Sequence, residues 1–312
     1  MKKTKILAVV GPTASGKSAL AMALAERLSG EIISCDSMQI YRRMDIGTAK
    51  PTAADRATVR HHMIDIVEPT ETFTCADYVA EASRAVEECA SRGKLPIVCG
   101  GTGLYLDALL RGGDFAEGGA DEDLRRELAE FAAQEGNEAL HAELRRIDPE
   151  SADAIHPNNV KRVIRAIEIY RTTGVTKTEL DRRSQEGGER YDATVIGLRY
   201  LDREVLWGRM DRRVDMMLEE GLLEETKRLL SEGIFAVNQT AAQAIGYKEL
   251  LGYLRGEEDL NTAVKTLKTA TRRYGKRQMT WFSAKPYVSW IDADGKTFEE
   301  IVNIAEKRFL KT

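Results

Sequence analysis

Short continuous apolar runs alternate with longer helical patterns over the first hundred residues. Residues 6–10 are rich in branched side chains and end at Gly11-Pro12, which predicts a strand buried on both faces. Residues 18–28 turn helical, 31–35 repeat the strand signature, and 76–92 are helical with Gly93 as a stop. Another buried strand is expected over 95–99, ending in Gly100-Gly101. Strand, helix, strand, helix, strand implies a parallel sheet with helices on its faces.

Between about residues 120 and 184 the strand signals vanish, and D-E-D-L-R-R-E-L-A-E-F, H-A-E-L-R-R-I-D-P and N-V-K-R-V-I-R-A-I-E-I-Y follow one another. This charged, helical stretch reads as an insertion. Residues 194–198 return to a strand pattern, helices follow, and 288–291 form one late short strand. The expected fold is α/β: a parallel sheet carrying a phosphate loop and flanked by helices, with an inserted all-helical domain. The expected parts are 1–115 for the first part of the core, 116–190 for the insertion and 191–312 for the remainder.

A length of 312 residues suits two domains or one enlarged domain, and 43% apolar with 31% charged residues excludes collagen-like and strongly disordered classes. Lys and Arg number 46 against 50 Asp and Glu, so nucleic-acid binding has to come from local patches. Two basic islands exist: 161–183 with seven basic and three acidic residues, and 261–277 with Lys265, Lys268, Arg272, Arg273, Lys276, Arg277 and no acid. Each reads either as a solvated helix face or as a surface for a phosphate backbone. Cys35, Cys75, Cys89 and Cys99 show neither disulfide nor zinc spacing, which points to a reducing cytosol. No apolar run is long enough for a membrane helix, and Gly11-Pro12 and Lys17 interrupt the start too early for a secretory signal. No protein partner is implied.

G-P-T-A-S-G-K-S at 11–18 fills every fixed position of G-x-x-x-x-G-K-[ST] between a predicted strand and a predicted helix. Such a loop aims backbone amides and a helix N-terminus at phosphate oxygens, Lys17 neutralises charge, and the Ser18 hydroxyl suits Mg²⁺. The motif specifies polyphosphate and leaves open which bond breaks. In an open parallel sheet ligands collect at the carboxyl ends of strands, where Lys17-Ser18, Asp36-Ser37 and Thr102 all fall. Asp36 has three readings: a turn cap, a carboxylate holding Mg²⁺ through water, or a proton acceptor. Thr102 suits either substrate contact or a helix cap. His61, His62 and Asp65 lack further ligands at zinc-like spacing and read as structural, as does His156; Trp281 reads as core packing more readily than as a stacking platform.

Together these residues resemble the tRNA dimethylallyltransferase family, also called tRNA isopentenyltransferases. Beyond the phosphate loop, the resemblance rests on D-S-M-Q-I-Y-R at 36–42, D-I-G-T-A-K-P at 45–51 and G-G-T-G-L-Y at 100–105. It continues in H-P-N-N-V-K-R at 156–162, Q-A-I-G-Y-K-E at 243–249 and K-R-Q-M-T-W at 276–281. It spans essentially the whole chain. It implies transfer of a dimethylallyl group from dimethylallyl diphosphate to N6 of the adenine 3′ to the anticodon, position 37 of tRNA, with Mg²⁺ assisting and pyrophosphate leaving.

By the same resemblance Asp36 acts as general base, Thr102 contacts the reacting nucleotide, and Lys17 and Arg213 serve the diphosphate. The diphosphate cradle would be Gly11, Pro12, Thr13, Ala14, Ser15, Gly16, Lys17 and Ser18. Positions implied to touch tRNA are Asp36, Ser37, Met38, Gln39, Thr102, Arg125, Lys161, Arg162, Val163, Ile164 and Arg165. Gln243, Ala244, Ile245, Gly246, Tyr247 and Lys248 complete that set. Gly275 stands where relatives more often carry alanine, a cost of about 1 kcal/mol if the segment is helical. Competing functions are a nucleotide or small-molecule kinase, an isopentenyltransferase acting on free adenine nucleotides, and a nucleotide-switched RNA-binding protein.

Overall fold

The computed structural model describes residues 3–111, 121–186 and 188–311. It divides into two compact units, Met1–Leu110 with Tyr191–Thr312, and Arg111–Arg190. The domain boundary expected at 115/116 lies outside the described residues.

The larger unit is built on six parallel strands: β1 (Lys5–Val10), β2 (Gly30–Cys35), β3 (His61–His62), β4 (Leu95–Gly100), β5 (Asp192–Arg199) and β6 (Val288–Asp292). Their spatial order is β3-β2-β4-β1-β5-β6. Five match expected strands, with ends shifted by a residue or two. Central β1 pairs with β4 and β5, and Ile6, Leu7, Ala8, Val9 and Val10 are all buried, as a continuous apolar run requires. On one face Leu7, Val9, Ile97 and Ile196 pack with Leu20 and Leu24 of helix Lys17–Arg27 and Val302 and Phe309 of helix Phe298–Leu310. Helix Cys75–Ser91 lies against β2 and β4, and its Tyr78 hydroxyl donates to the Ser34 carbonyl at 3.2 Å.

The strand absent from the apolar pattern is β3, two half-buried histidines beside β2. Polar contacts hold this edge. His62 Nε2 lies 2.7 Å from Glu31 Oε2, which also accepts from Arg92 Nη2 at 2.6 Å, and His61 Nδ1 meets the Val59 carbonyl at 2.8 Å. Asp65 is engaged by Lys50 and Arg56, each at 2.6 Å, so these residues have structural partners.

A second core of the larger unit gathers Ile40, Tyr41 and Met44 against Val214, Leu222, Leu229, Tyr247 and Leu267. Gly275, within helix Leu260–Ser283, is buried, and a Cβ there would overlap the Met210 methyl. Its lack of a side chain lets helix Arg203–Glu219 pack closely, which offsets the helix-propensity cost.

In the smaller unit every described element is a helix: Glu122–Glu135, Asn137–Ile147, Pro149–Ala154, Val160–Thr173 and Lys177–Glu186. Its core is Leu128, Leu140, Leu144, Ile155, Val163, Ile164 and Ile167. Asp121 and Asp148 cap two of these helices by accepting the amides of Leu124 at 2.9 Å and Ser151 at 3.1 Å. Among the described residues no helix is long and apolar enough to cross a membrane, and all four cysteines are free thiols.

Candidate active site

β1 runs into the loop 11–16, which turns where the Ser15 amide donates to the Pro12 carbonyl at 3.2 Å. Gly16 takes φ 98°, a left-handed value that favours glycine, and hands the chain to helix Lys17–Arg27. That helix has no acidic residue in its first turn, so its positive end is not neutralised locally. Ser15 is 1% exposed and its hydroxyl has no hydrogen-bond partner among the described residues. Ser18 is exposed on the first turn, beside the Cys99 thiol, and Cys99 is itself pushed up to about 11 chiefly by burial.

The half-buried Lys17 ammonium donates to the Pro12 carbonyl at 3.3 Å. Burial pushes its pKa below the ordinary lysine range; Arg213 adds to the push, while Cys99 and Asp36 oppose it. Arg213, on helix Arg203–Glu219, is likewise lowered by burial and supported by Asp36 and Glu220. Two partly desolvated cations and one carboxylate therefore share one field.

Asp36 ends β2 half-buried. Its Oδ1 accepts the amides of Met38 at 2.9 Å and Gln39 at 3.4 Å, and Oδ2 has no hydrogen-bond partner among the described residues. The turn-cap reading thus accounts for one oxygen and leaves the other for chemistry. Thr102 follows β4, and its Oγ1 accepts the Ser37 amide at 3.1 Å instead of an amide of its own helix Gly103–Arg111. The Thr102 amide donates to the Cys35 carbonyl at 3.1 Å. Burial and the nearby Asp36 carboxylate raise the Tyr274 pKa. The ends of β1, β2 and β4 so bring together the phosphate loop, Asp36 and Thr102.

Among the other anticipated residues of this unit, Gln39 is tied inward. Its carboxamide accepts from Ser34 Oγ at 2.8 Å and donates to the carbonyls of Thr48 at 3.2 Å and Ala49 at 3.1 Å. Gln243 and Lys248 are exposed, Ser37, Met38 and Ile245 half-buried, and Ala244, Gly246 and Tyr247 buried. The Tyr247 hydroxyl donates to Glu225 Oε1 at 2.7 Å, and the same carboxylate accepts the amides of Asp45, Ile46 and Gly47 at 3.0 to 3.1 Å. Glu225 therefore anchors the D-I-G-T-A-K-P segment. In the second basic island Lys268 pairs with Asp215 at 2.6 Å and Arg272 with Asp211, while Lys265, Arg273, Lys276 and Arg277 stay exposed. Trp281 is half-buried against Gly103, with Lys285 Nζ 5.1 Å from its ring centre.

Within the helical unit, Lys161 and Arg162 are exposed and have no ionic partner among the described residues. Val163 and Ile164 are core residues. Arg125 and Arg165 converge on the fully buried Glu168 carboxylate, at 2.9 and 2.7 Å. Burial alone would raise the Glu168 pKa, but bonds from Arg165, the Asp121 amide and Arg125 outweigh it and hold it below the usual carboxylate range. His141 is buried, its Nε2 2.9 Å from the carbonyls of Ala152 and Ile155, and His156 accepts the Asn158 amide at 3.1 Å.

Glu225 and Gln278 each bond to segments remote in the chain, and the sequence alone did not single them out. Gln278 Oε1 accepts the Thr13 amide at 2.8 Å and its Nε2 donates to the Gly101 carbonyl at 3.1 Å. Gln278 falls within K-R-Q-M-T-W, whereas no motif marked Glu225, because the partners of both are remote in the chain.

The family model for IPP transferase matches residues 39–285. The chain is 49% identical over 298 residues to a tRNA dimethylallyltransferase of Halalkalibacterium halodurans, covering 96% of this chain and 94% of that one. It is 46% identical over 307 residues to the tRNA dimethylallyltransferase of Acetivibrio thermocellus, covering 98% and 97%. A crystal structure of a full-length tRNA isopentenylpyrophosphate transferase from Bacillus halodurans is similar, with TM-score 0.73, 46% identity and coverage of 99% of this chain and 98% of that one. A eukaryotic dimethylallyltransferase acting on tRNA, 30% identical, aligns with TM-score 0.80 over 99% of this chain and 80% of its own. The chain belongs to the IPP transferase family.

Proposed function

We propose that this protein transfers the dimethylallyl group of dimethylallyl diphosphate to N6 of the adenine at position 37, 3′ to the anticodon of tRNA, releasing pyrophosphate. The observation that carries this reading is the juxtaposition of a phosphate loop, with Lys17 and Arg213, and the free Oδ2 of Asp36. The names of the relatives, tRNA dimethylallyltransferases, support the same donor and acceptor.

In the proposed reaction the N6–carbon bond forms as the allylic carbon–oxygen bond breaks, and the bonding electron pair leaves with pyrophosphate. Negative charge grows on that oxygen. The loop amides, the helix start, Lys17 and Arg213 are preorganised for it, and one such donor is worth about 3 kcal/mol. The buried, unpartnered Ser15 hydroxyl fits an anion in the same cradle. An exocyclic adenine amine is a weak nucleophile because its lone pair is delocalised, so its proton needs an acceptor as the bond forms. Asp36 Oδ2 takes that role.

The site's oxygen donors also suit Mg²⁺, which typically keeps several waters and binds one or two carboxylates plus substrate phosphates. Ser18 would hold it directly and Asp36 through water. When bound, Mg²⁺ neutralises charge on the departing diphosphate. On the RNA side, Lys161, Arg162, Gln243 and Lys248 are the exposed ones among the anticipated contacts, whereas buried Val163, Ile164, Ala244 and Tyr247 shape the backbone that presents them. Residues 111–190 are proposed to bind the anticodon stem-loop, where extruding a single-stranded base costs only a few kcal/mol.

The test is transfer from labelled dimethylallyl diphosphate to an anticodon stem-loop, with AMP as a rival acceptor and radiolabelled ATP as a rival donor. Label on the stem-loop supports the reading. Label on AMP alone, or transfer only from ATP, replaces it with one of the competing functions.

A further inference from the structure

We infer that Gln278 is a positioning residue that fixes the spacing between the donor loop and the acceptor side of the site. It is 5% exposed on helix Leu260–Ser283 and bridges the loops that leave the paired strands β1 and β4, 265 and 177 residues away. Its orientation is dictated by chemistry: Thr13 offers an N–H, Gly101 a carbonyl, and a primary amide carries an acceptor and a donor on one rigid plane. Gly101 accommodates it, since a Cβ at that position would overlap the Gln278 carboxamide.

The connection continues on both sides. Thr13 belongs to the phosphate loop. Gly101 leads to Thr102, whose Oγ1 accepts the Ser37 amide, and Ser37 follows Asp36, whose Oδ1 holds the next turn. One buried carboxamide therefore ties the group that grips the leaving diphosphate to the group that receives the amine's proton. Displacement at carbon needs the entering nitrogen and departing oxygen in line, and a misplacement of about 1 Å costs roughly 10²-fold in rate. Both polar atoms of the Gln278 carboxamide are taken up by Thr13 and Gly101, so its loss is expected to slow chemistry more than it weakens binding. This role rests on the proposed prenyl transfer.

The experiment compares Gln278→Met, similar in length but apolar, and Gln278→Glu with the wild-type protein. Transfer to an anticodon stem-loop is followed across a range of pH, alongside KM for each substrate and thermal unfolding. For folded Gln278→Met, kcat falls roughly 10- to 100-fold while both KM values change only a few fold. In Gln278→Glu the ionised carboxylate accepts from Thr13 but repels the Gly101 carbonyl; protonated, it regains the amide's donor and acceptor. The ratio of its kcat to that of the wild type therefore climbs as pH is lowered. A folded Gln278→Met with wild-type kcat, or a Gln278→Glu ratio flat with pH, overturns the role. A wild-type protein that transfers nothing overturns the proposed function and this role with it.

Discussion

The Thr102 hydroxyl accepts the amide hydrogen of Ser37 at 3.1 Å, so a residue after β4 sets the backbone of a residue after β2. Thr102→Val keeps the shape and deletes the acceptor, leaving the Ser37 amide unsatisfied at a cost of about 1–3 kcal/mol. Turnover is expected to drop by about tenfold or more, and Thr102→Ser to restore most of it. Wild-type turnover in Thr102→Val together with a loss in Thr102→Ser, measured at saturating substrates, would mean that the methyl group and not the hydrogen bond matters.

Asp36→Asn preserves the Oδ1 acceptor for the Met38 amide and removes the basic oxygen. Turnover falls by about 10² to 10⁴ while tRNA affinity stays within a few fold. Filter-binding and single-turnover assays separate the two, and unchanged turnover removes Asp36 from proton transfer.

Lys17 trades stability for function. Burial lowers its pKa in the folded chain, so between that lowered value and the ordinary lysine value of about 10.4 the folded state binds fewer protons than the unfolded one. Stability from this group therefore rises with pH across that window, and at neutral pH its charge is a cost. Lys17→Met is expected to unfold at a temperature a few degrees above the wild type at pH 7 yet to lose donor turnover. Donor affinity of the wild type declines as pH rises through the lowered lysine value. A melting temperature below the wild type's would contradict the assignment.

Glu168 carries the opposite sign. Its depressed pKa means that its contribution is complete above the unfolded carboxylate value of about 4.3 and is lost as pH falls through the lower, folded value. Glu168→Gln leaves Arg125 and Arg165 without their shared carboxylate and costs on the order of 3 kcal/mol. Urea denaturation at neutral pH reads this loss, and the difference between variant and wild type should shrink in acid. A pH-independent difference would point to packing.

Lys161 and Arg162 are exposed and unpaired among the described residues, unlike Arg165. Replacing both by alanine should weaken tRNA binding and flatten its dependence on salt, by about 0.7 to 0.9 in logarithmic slope for each phosphate that is no longer neutralised. An unaltered slope would place the RNA elsewhere.

The strands and the phosphate loop were legible because local pattern dictates them: branched apolar runs at 6–10, 31–35 and 95–99, then a glycine-rich turn before a helix. Asp36 and Thr102 were legible by position, at the carboxyl ends of strands. What the sequence withheld depends on distant partners. β3 has no apolar run and is held by Glu31 and backbone pairing. Gln278 and Glu225 look like ordinary helix residues until their partners, Thr13 and Ile46, are brought beside them. The same holds for Arg125 and Arg165, whose shared carboxylate the charge pattern did not reveal. Nor did the resemblance separate residues that face solvent, such as Lys161, from those that support them, such as Val163.

Mass spectrometry of tRNA nucleosides, after incubation with purified protein, dimethylallyl diphosphate and Mg²⁺, reads donor and acceptor together. The account predicts N6-dimethylallyladenosine at the position 3′ to the anticodon with the wild-type protein, and its near absence with Asp36→Asn. A modified tRNA carrying the group on another base, or full product from Asp36→Asn, would contradict it.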